Sequence, residues 1–430
     1  MLIEFTVSNF HSIRSPQTLS LVASKALKDR ELEGNAFEAG VAEGLPKLLR
    51  STAVYGPNAA GKSTLVRALS LMRRMVTASA QEAQVGELID IHPFRLSAES
   101  RKQDSEFEIH FIENGVRYQY GFSLNTARIT SEWLIAYPLG KPQRWFERVF
   151  DAVSGKDKYK FSTFFTGGKK LHLDRAALTI GNALYLSVAV QKGSEQLQPA
   201  FAWFQKRLHV VSAVNHIDSG FTARMCESTE DKKRVLDFMN SADISFDDVT
   251  IEKKSFSIDD LPTDMPSVVK DEIARVMSGK TMREPKFIHK DVDTGELIPF
   301  DGEDESDGTR SLFAFAGPWL DVLANNYVLV VDEIDTSLHP LVVHHLVRLL
   351  NGHGGHAQLV FTTHDTTLMS QRFLRRDQIW FVEKDKGNAT RLYSLADFSP
   401  RENEAIEKGY LNGRYGAIPF LSKLDFYGAR

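Results

Sequence analysis

The run Gly56-Pro57-Asn58-Ala59-Ala60-Gly61-Lys62-Ser63 restricts the fold more than any other stretch of this sequence. It follows an apolar segment from Leu48 to Tyr55 and precedes a helical pattern that starts at Lys62 and continues through Leu65, Leu69 and Met72. Strand, glycine loop and helix in that order are the context in which GxxxxGK(S/T) reads as a phosphate-binding loop. Glycines let the backbone wrap closely, so its N–H groups and the positive end of the following helix face an anion. Lys62 then reaches the β- and γ-phosphates of ATP, Ser63 holds Mg2+, and Thr64 closes the loop.

A second feature lies at Val328-Leu329-Val330-Val331-Asp332-Glu333. Its apolar residues predict a buried parallel strand, and the two carboxylates emerge at the carboxyl end, where open α/β sheets place their ligands. Asp332 suits a Mg2+ shell, and Glu333 suits a general base that polarises the attacking water. Thr362-Thr363-His364-Asp365 follows another buried run, Gln358 to Thr362, which puts His364 at the same edge, in reach of the γ-phosphate or the attacking water. Glu305-Ser306-Asp307-Gly308-Thr309-Arg310 stands just before a helix starting near Ser311. A small hydroxyl, a glycine and a helix N-terminus are what an anion receptor needs.

The rest of the chain frames these motifs. Phe107, Ile109 and Phe111 alternate with polar residues, Glu113-Asn114-Gly115 turns the chain, and Val116, Tyr118 and Tyr120 alternate again, which predicts a hairpin. Helices are expected near Ala183–Val190, Pro199–Leu208 and Lys232–Met239, with no sustained heptads. From Ser311 helices and strands alternate, implying a parallel sheet. The expected architecture is an α/β P-loop NTPase with a mixed sheet, an antiparallel N-terminal subsheet and a mainly helical insertion. The ATPase parts are 1–150 and 296–430, and the insertion is 151–295.

No stretch approaches the roughly 18 apolar residues of a membrane span, and Met1 to Asn9 alternate as a strand, unlike an export signal. The single cysteine, Cys226, cannot form an intrachain disulfide, so the expected compartment is a reducing cytoplasm. A net charge of −4 exerts no global pull on nucleic acid. Two stretches could still contact DNA or RNA: Arg144-Trp145-Phe146-Glu147-Arg148, and Arg372 with Arg375 and Arg376. Solvated faces and core aromatics explain both equally well.

The order GPNAAGKS, ESDGTR, VLVVDEID with SLHP, then TTHD resembles the Walker A, signature, Walker B with D-loop, and H-loop series of ABC-type ATPases. The pattern is similar to the SMC, RecF and OLD-like branches, and within them to bacterial AAA-family ATPases of abortive-infection and phage-defence systems. Asn9-Phe10 and Tyr410-Leu411-Asn412-Gly413-Arg414-Tyr415-Gly416 also resemble that set. The resemblance implies a head-to-tail dimer: Lys62, Ser63, Asp332, Glu333 and His364 of one copy bind ATP, and Ser306, Asp307 and Gly308 of the other close over it. The signature departs from the leucine-serine-glycine-glycine form of transporters. A Q-loop glutamine is not evident, with Gln81, Gln84 and the segment near His92-Pro93-Phe94 as candidates.

Three functions fit these residues. The first is a nucleotide-gated dimer that hydrolyses ATP slowly and controls a separate effector, such as a nuclease, in antiphage defence. OLD-like relatives often carry a fused Toprim nuclease, but the stretch after His364 is short for one. The second is a RecF- or SMC-like repair ATPase that clamps DNA. The third, a transporter ATPase, lacks an evident Q-loop.

Overall fold

The computed structural model describes residues 1–27, 30–40, 47–214, 217–255, 265–277, 281–370, 373–398 and 404–419. The chain opens with β1 (Leu2–Ser8) and β2 (Gln17–Ser20), passes the short strands β3 (Ala36–Phe37) and β4 (Leu48–Leu49), and enters β5 (Ser51–Tyr55) and helix α1 (Lys62–Glu82). Then come β6 (Ser105–Glu113), β7 (Val116–Leu124), β8 (Ile129–Tyr137), β9 (Gln143–Asp151) and β10 (Lys156–Phe161). Helices α2 (Lys169–Ala177), α3 (Tyr185–Gln191) and α4 (Gln198–Ala202) lead to β11 (Leu208–Val211). The middle holds α5 (Gly220–Met225), α6 (Thr229–Ser241), β12 (Asp248–Ser255), α7 (Ser267–Met277), β13 (Thr281–Lys290), β14 (Leu297–Phe300) and α8 (Asp307–Asn325). The last part is β15 (Val328–Val331), α9 (Pro340–Asn351), β16 (Gln358–Thr362), β17 (Ile379–Lys384), β18 (Thr390–Ser394) and α10 (Ile406–Leu411).

These elements form two compact units, Met1–Ser212 with Asn326–Ile334 and Leu346–Arg430, and Ala213–Asn325 with Asp335–His345. The first unit contains an antiparallel sheet in the order β10-β9-β8-β7-β6-β1-β2 and a mixed sheet in the order β11-β15-β16-β5-β17-β18. Alternation builds the antiparallel sheet. Phe107, Ile109 and Phe111 are fully buried, while Glu106, Glu108 and His110 face outward. Glu113 pairs with Val116 across Asn114 and Gly115, both in the left-handed region (φ 48 and 76), so the Asn-Gly pair makes the tight hairpin that its sequence predicts.

In the mixed sheet every strand from β11 to β17 runs parallel to its neighbours, and β18 alone is antiparallel. β5, β15 and β16 are buried at every position, which fits strands covered on both faces. Helix α1 buries Leu65, Leu69, Met72 and Val76, spaced three or four apart, in one core with Phe5 and Phe107 of the antiparallel sheet and Val330 and Val360 of the mixed sheet. The phosphate loop is thus anchored between two sheets. This is the expected α/β P-loop NTPase class with its antiparallel subsheet.

A buried ionic knot fixes α3 to the antiparallel sheet. Glu132 accepts from the Tyr185 and Leu186 N–H groups at 2.6 and 2.9 Å, and from Tyr120 Oη at 3.0 Å. Arg148 donates to Asp157 at 2.9 Å and to Ala183 O at 2.7 Å. Both Glu132 and Arg148 are 0% exposed, so removing one partner strands the other away from water. Glu132→Ala should therefore cost about 3–5 kcal/mol in urea unfolding followed by circular dichroism.

Residues 151–212 belong to the first unit, and in the second unit an antiparallel sheet of β12, β13 and β14 accompanies the helices α5 to α8. β12 exposes Glu252, Lys253 and Lys254, and β14 is exposed throughout, so no buried alternation marks them in the sequence. Pro318 lies inside α8 and removes the N–H that Ala314 O would accept. The Thr222 hydroxyl supplies that donor at 3.0 Å and accepts from Gly317 N at 3.0 Å. Cys226 is buried, which pushes its thiol up to about 12, an inert group at neutral pH. Among the described residues no helix is long and apolar enough to cross a membrane.

Candidate functional site

β5 delivers the chain to Gly56 at the carboxyl edge of the mixed sheet. A side chain at Gly56 would collide with the Val382 carbonyl, and one at Gly61 (φ 118) with Thr390, so close approach dictates both glycines. Gly61 is also the N-cap of α1 and offers no side chain to its first turn, leaving the helix N-terminus as an anion receptor. The Lys62 ammonium folds back on the loop, donating to Gly56 O at 2.7 Å and Pro57 O at 3.4 Å. These neutral carbonyls can be exchanged for phosphate oxygens.

Thr362, at the end of β16, organises the two carboxylates. Its hydroxyl donates to Asp332 Oδ1 at 2.6 Å and accepts from Glu333 N at 2.7 Å. Asp332 is buried, whereas Glu333 is exposed and adopts φ 50, a costly conformation for a non-glycine residue that turns the chain beside the loop. The register Thr362 to Val54 places His364 level with Gly56 on the neighbouring strand, exposed at the same edge.

A cavity of about 860 Å³ opens over the loop, within the range of small-ligand sites. Pro57 to Thr64 and Glu333 line it, while Gly56, Asp332 and His364 do not. Ser306, Asp307 and Gly308 belong to the second unit and do not line it either. There Ser306 Oγ accepts from Thr309 N at 3.1 Å and caps α8, and Asp307 pairs with Arg310. No group of three His, Cys, Asp or Glu that could hold a metal occurs among the described residues. Mg2+ does not require one: it keeps waters and takes phosphate oxygens, so the Ser63 hydroxyl and the Asp332 carboxylate are a fitting protein share.

Sequence reasoning missed much of the cavity wall: His11, Ser12, Arg67, Arg95, Leu96, Lys384 and Asn388. The signal for the first of these was Asn9. Its buried amide donates to Ser100 O and Gln103 O at 2.8 Å and accepts from Phe94 N at 3.1 Å, pinning the 92–104 loop beside the site. His11 N donates to His92 O at 2.7 Å, and the two rings meet edge to face. Burial, then His92 and Arg67, lowers the His11 pKa and favours the neutral ring. Of the Q-loop candidates, His92, Pro93 and Phe94 line the cavity; Gln81 and Gln84 do not.

Of the stretches nominated for nucleic acid, Arg144 is exposed and pairs with Glu147, while most of the other described residues turn inward. Trp145, Phe146 and Arg148 are buried, as are Arg375 and Arg376, with Arg375 bonded to Asp377. Arg372 lies outside the described residues. Tyr410 and Tyr415, from the late segment singled out in the sequence, stack on Phe381 of β17, and Tyr410 also packs on Tyr55, next to the loop.

Residues 51–370 match the family described as "AAA domain, putative AbiEii toxin, Type IV TA system". The chain belongs to that family. Its phosphate loop, both carboxylates and His364 all fall within the matched span, and the motif order pointed to the same group of AAA-type ATPases. No curated protein matches. Among solved structures, the SMC head domain from Thermotoga maritima is 14% identical with a TM-score of 0.39, covering 91% of this chain and 98% of that one. An SmcHead bound to the C-winged helix domain of ScpA is 12% identical with a TM-score of 0.40, covering 91% and 97%. Superpositions this loose constrain neither reaction nor partner.

Proposed function

We propose that this AAA-family chain binds Mg-ATP on the loop Gly56–Thr64 and hydrolyses it slowly, in sites completed by Ser306, Asp307 and Gly308 of a second copy. The observation that carries the reading is Glu333: its left-handed backbone sets an exposed carboxylate on the wall of the phosphate-loop cavity, beside a buried one. Lys62 exchanges the Gly56 and Pro57 carbonyls for β- and γ-phosphate oxygens. Glu333 takes the proton of a water whose oxygen attacks the γ-phosphorus, and the β–γ bridging oxygen leaves with the electron pair, giving ADP and phosphate. His364 reaches over the loop edge to the γ-phosphate. Ser63 and Asp332 would hold Mg2+, which would supply charge neutralisation of the phosphates.

On this reading dimer closure is the output, and it holds or releases a separate effector in a cytoplasmic antiphage system, a nuclease of Toprim type being one candidate. The family description, with its toxin and toxin–antitoxin system, supports a protein partner over a DNA clamp, and burial of Arg148, Arg375 and Arg376 weakens the clamp further.

The test is the solution mass of wild type with and without Mg-ATP, purified with whatever accompanies it. An ATP-dependent dimer retaining a second protein is expected; a monomer indifferent to ATP would overturn the composite site. Lys62→Ala should weaken ATP binding by roughly 10–100-fold, since it removes a charge-assisted contact to phosphate. Calorimetric titration reads this directly.

A further inference from the structure

Sheet order divides the cavity into two ends. β5, which delivers the phosphate loop, lies between β16 and β17 in the order β11-β15-β16-β5-β17-β18. Glu333 follows β15 on one flank, whereas Lys384 at the end of β17 and Thr390 at the start of β18 stand on the other. A triphosphate with its γ end toward Glu333 that crosses β5 along the loop brings its nucleoside end toward the β17–β18 hairpin.

Lys384 is held at that end by a short relay into the loop. Its Nζ donates to Thr390 Oγ1 at 3.3 Å, and that hydroxyl donates to Ala60 O at 2.8 Å and lies 2.8 Å from Ser12 Oγ. Ser12 Oγ in turn lies 3.1 Å from Thr64 Oγ1, in the first turn of α1. Lys384 lines the cavity and makes no ion pair among the described residues. Burial lowers its pKa, with Asp385 acting the other way, so the ammonium pays for desolvation without a paired anion. The lining as a whole sets Lys62, Arg67, Arg95 and Lys384 against the carboxylate of Glu333. That imbalance suits a polyanion.

We propose that Lys384 binds the phosphate nearest the nucleoside, the α-phosphate of a nucleoside di- or triphosphate, from the flank of the loop opposite Glu333. This rests on the nucleotide reading above. Lys62 and Lys384 then divide the labour: Lys62 reads the β- and γ-phosphates, and Lys384 reads the group that ATP and ADP share. The chain consequently retains ADP after hydrolysis through a contact that turnover does not break.

Full-length wild type, Lys384→Met, Lys384→Arg and Lys62→Ala are titrated with Mg-ATP and Mg-ADP by calorimetry. Lys384→Met should weaken both nucleotides by the same factor, about tenfold, and Lys384→Arg should recover most of the loss. An unchanged affinity, or a loss confined to ATP, would overturn the assignment. Wild type that binds neither nucleotide would instead overturn the nucleotide reading itself, and a loss in Lys62→Ala beside an unaffected Lys384→Met would overturn only the role of Lys384. Amine acylation of the wild-type protein, read by peptide mass spectrometry, needs no variant. Mg-ATP and Mg-ADP should both shield Lys384; equal labelling with and without nucleotide refutes the contact.

Discussion

Replacing Glu333 with glutamine is expected to cut ATP turnover by roughly 10²–10⁴-fold while leaving ATP affinity within about twofold of wild type. Glutamine matches glutamate in size and keeps the backbone hydrogen bond from position 333 to Thr362, because that bond uses the main-chain N–H at 2.7 Å and not the carboxylate. What it loses is the ability to take a proton from water. The loop, Lys62 and the Asp332–Thr362 contact are untouched, so binding survives and the closed dimer should accumulate. Single-turnover hydrolysis separates the two effects, since it reads the chemical step without product release. Turnover equal to wild type would remove Glu333 from the role of base, and a parallel loss of binding would mean that its carboxylate repels or positions the ligand.

The parts of this site that are contiguous in sequence were legible there. Eight consecutive residues specify the loop, and four buried residues followed by two carboxylates specify the β15 edge, because each strand–turn unit carries its own chemistry. The hairpin at Asn114-Gly115 was legible for the same reason. The far wall was not. His11, Arg95 and Lys384 meet over the loop only because β1, the 92–104 loop and β17 converge there; Asn9 at the end of β1 was the one local signal, and the Thr390 bond to Ala60 O has none. Arg148 stayed open between surface and core for a related reason: nothing near it in sequence identifies Glu132 and Asp157, which surround it in the fold. The second unit hid its sheet because β12 to β14 bury few side chains.

Two variants that are each inactive as pure samples should regain activity when mixed. Lys62→Ala disables the loop half of a site. Gly308→Trp disables the other half; a Cβ at Gly308 meets Ser337 O at 3.4 Å and Ser306 Oγ at 3.7 Å, ordinary contact distances, and thermal unfolding of the pure variant checks that its own fold accepts the indole. The variant should bind ATP as wild type does and hydrolyse none, since the indole occupies the space that the partner's nucleotide needs. In a head-to-tail dimer each site takes the loop from one copy and Ser306 to Gly308 from the other. A heterodimer of the two variants therefore concentrates both defects in one site and leaves the second intact. Random exchange makes half of all dimers mixed, each with one working site of two, so the mixture should reach about a quarter of wild-type turnover. Native mass spectrometry verifies that the subunits have exchanged. A mixture that exchanges and stays inactive would show that the two halves act within one copy or that both sites must fire together. A pure Gly308→Trp sample with normal turnover would remove the α8 N-terminus from the site, and with it the proposed link between hydrolysis and dimer opening.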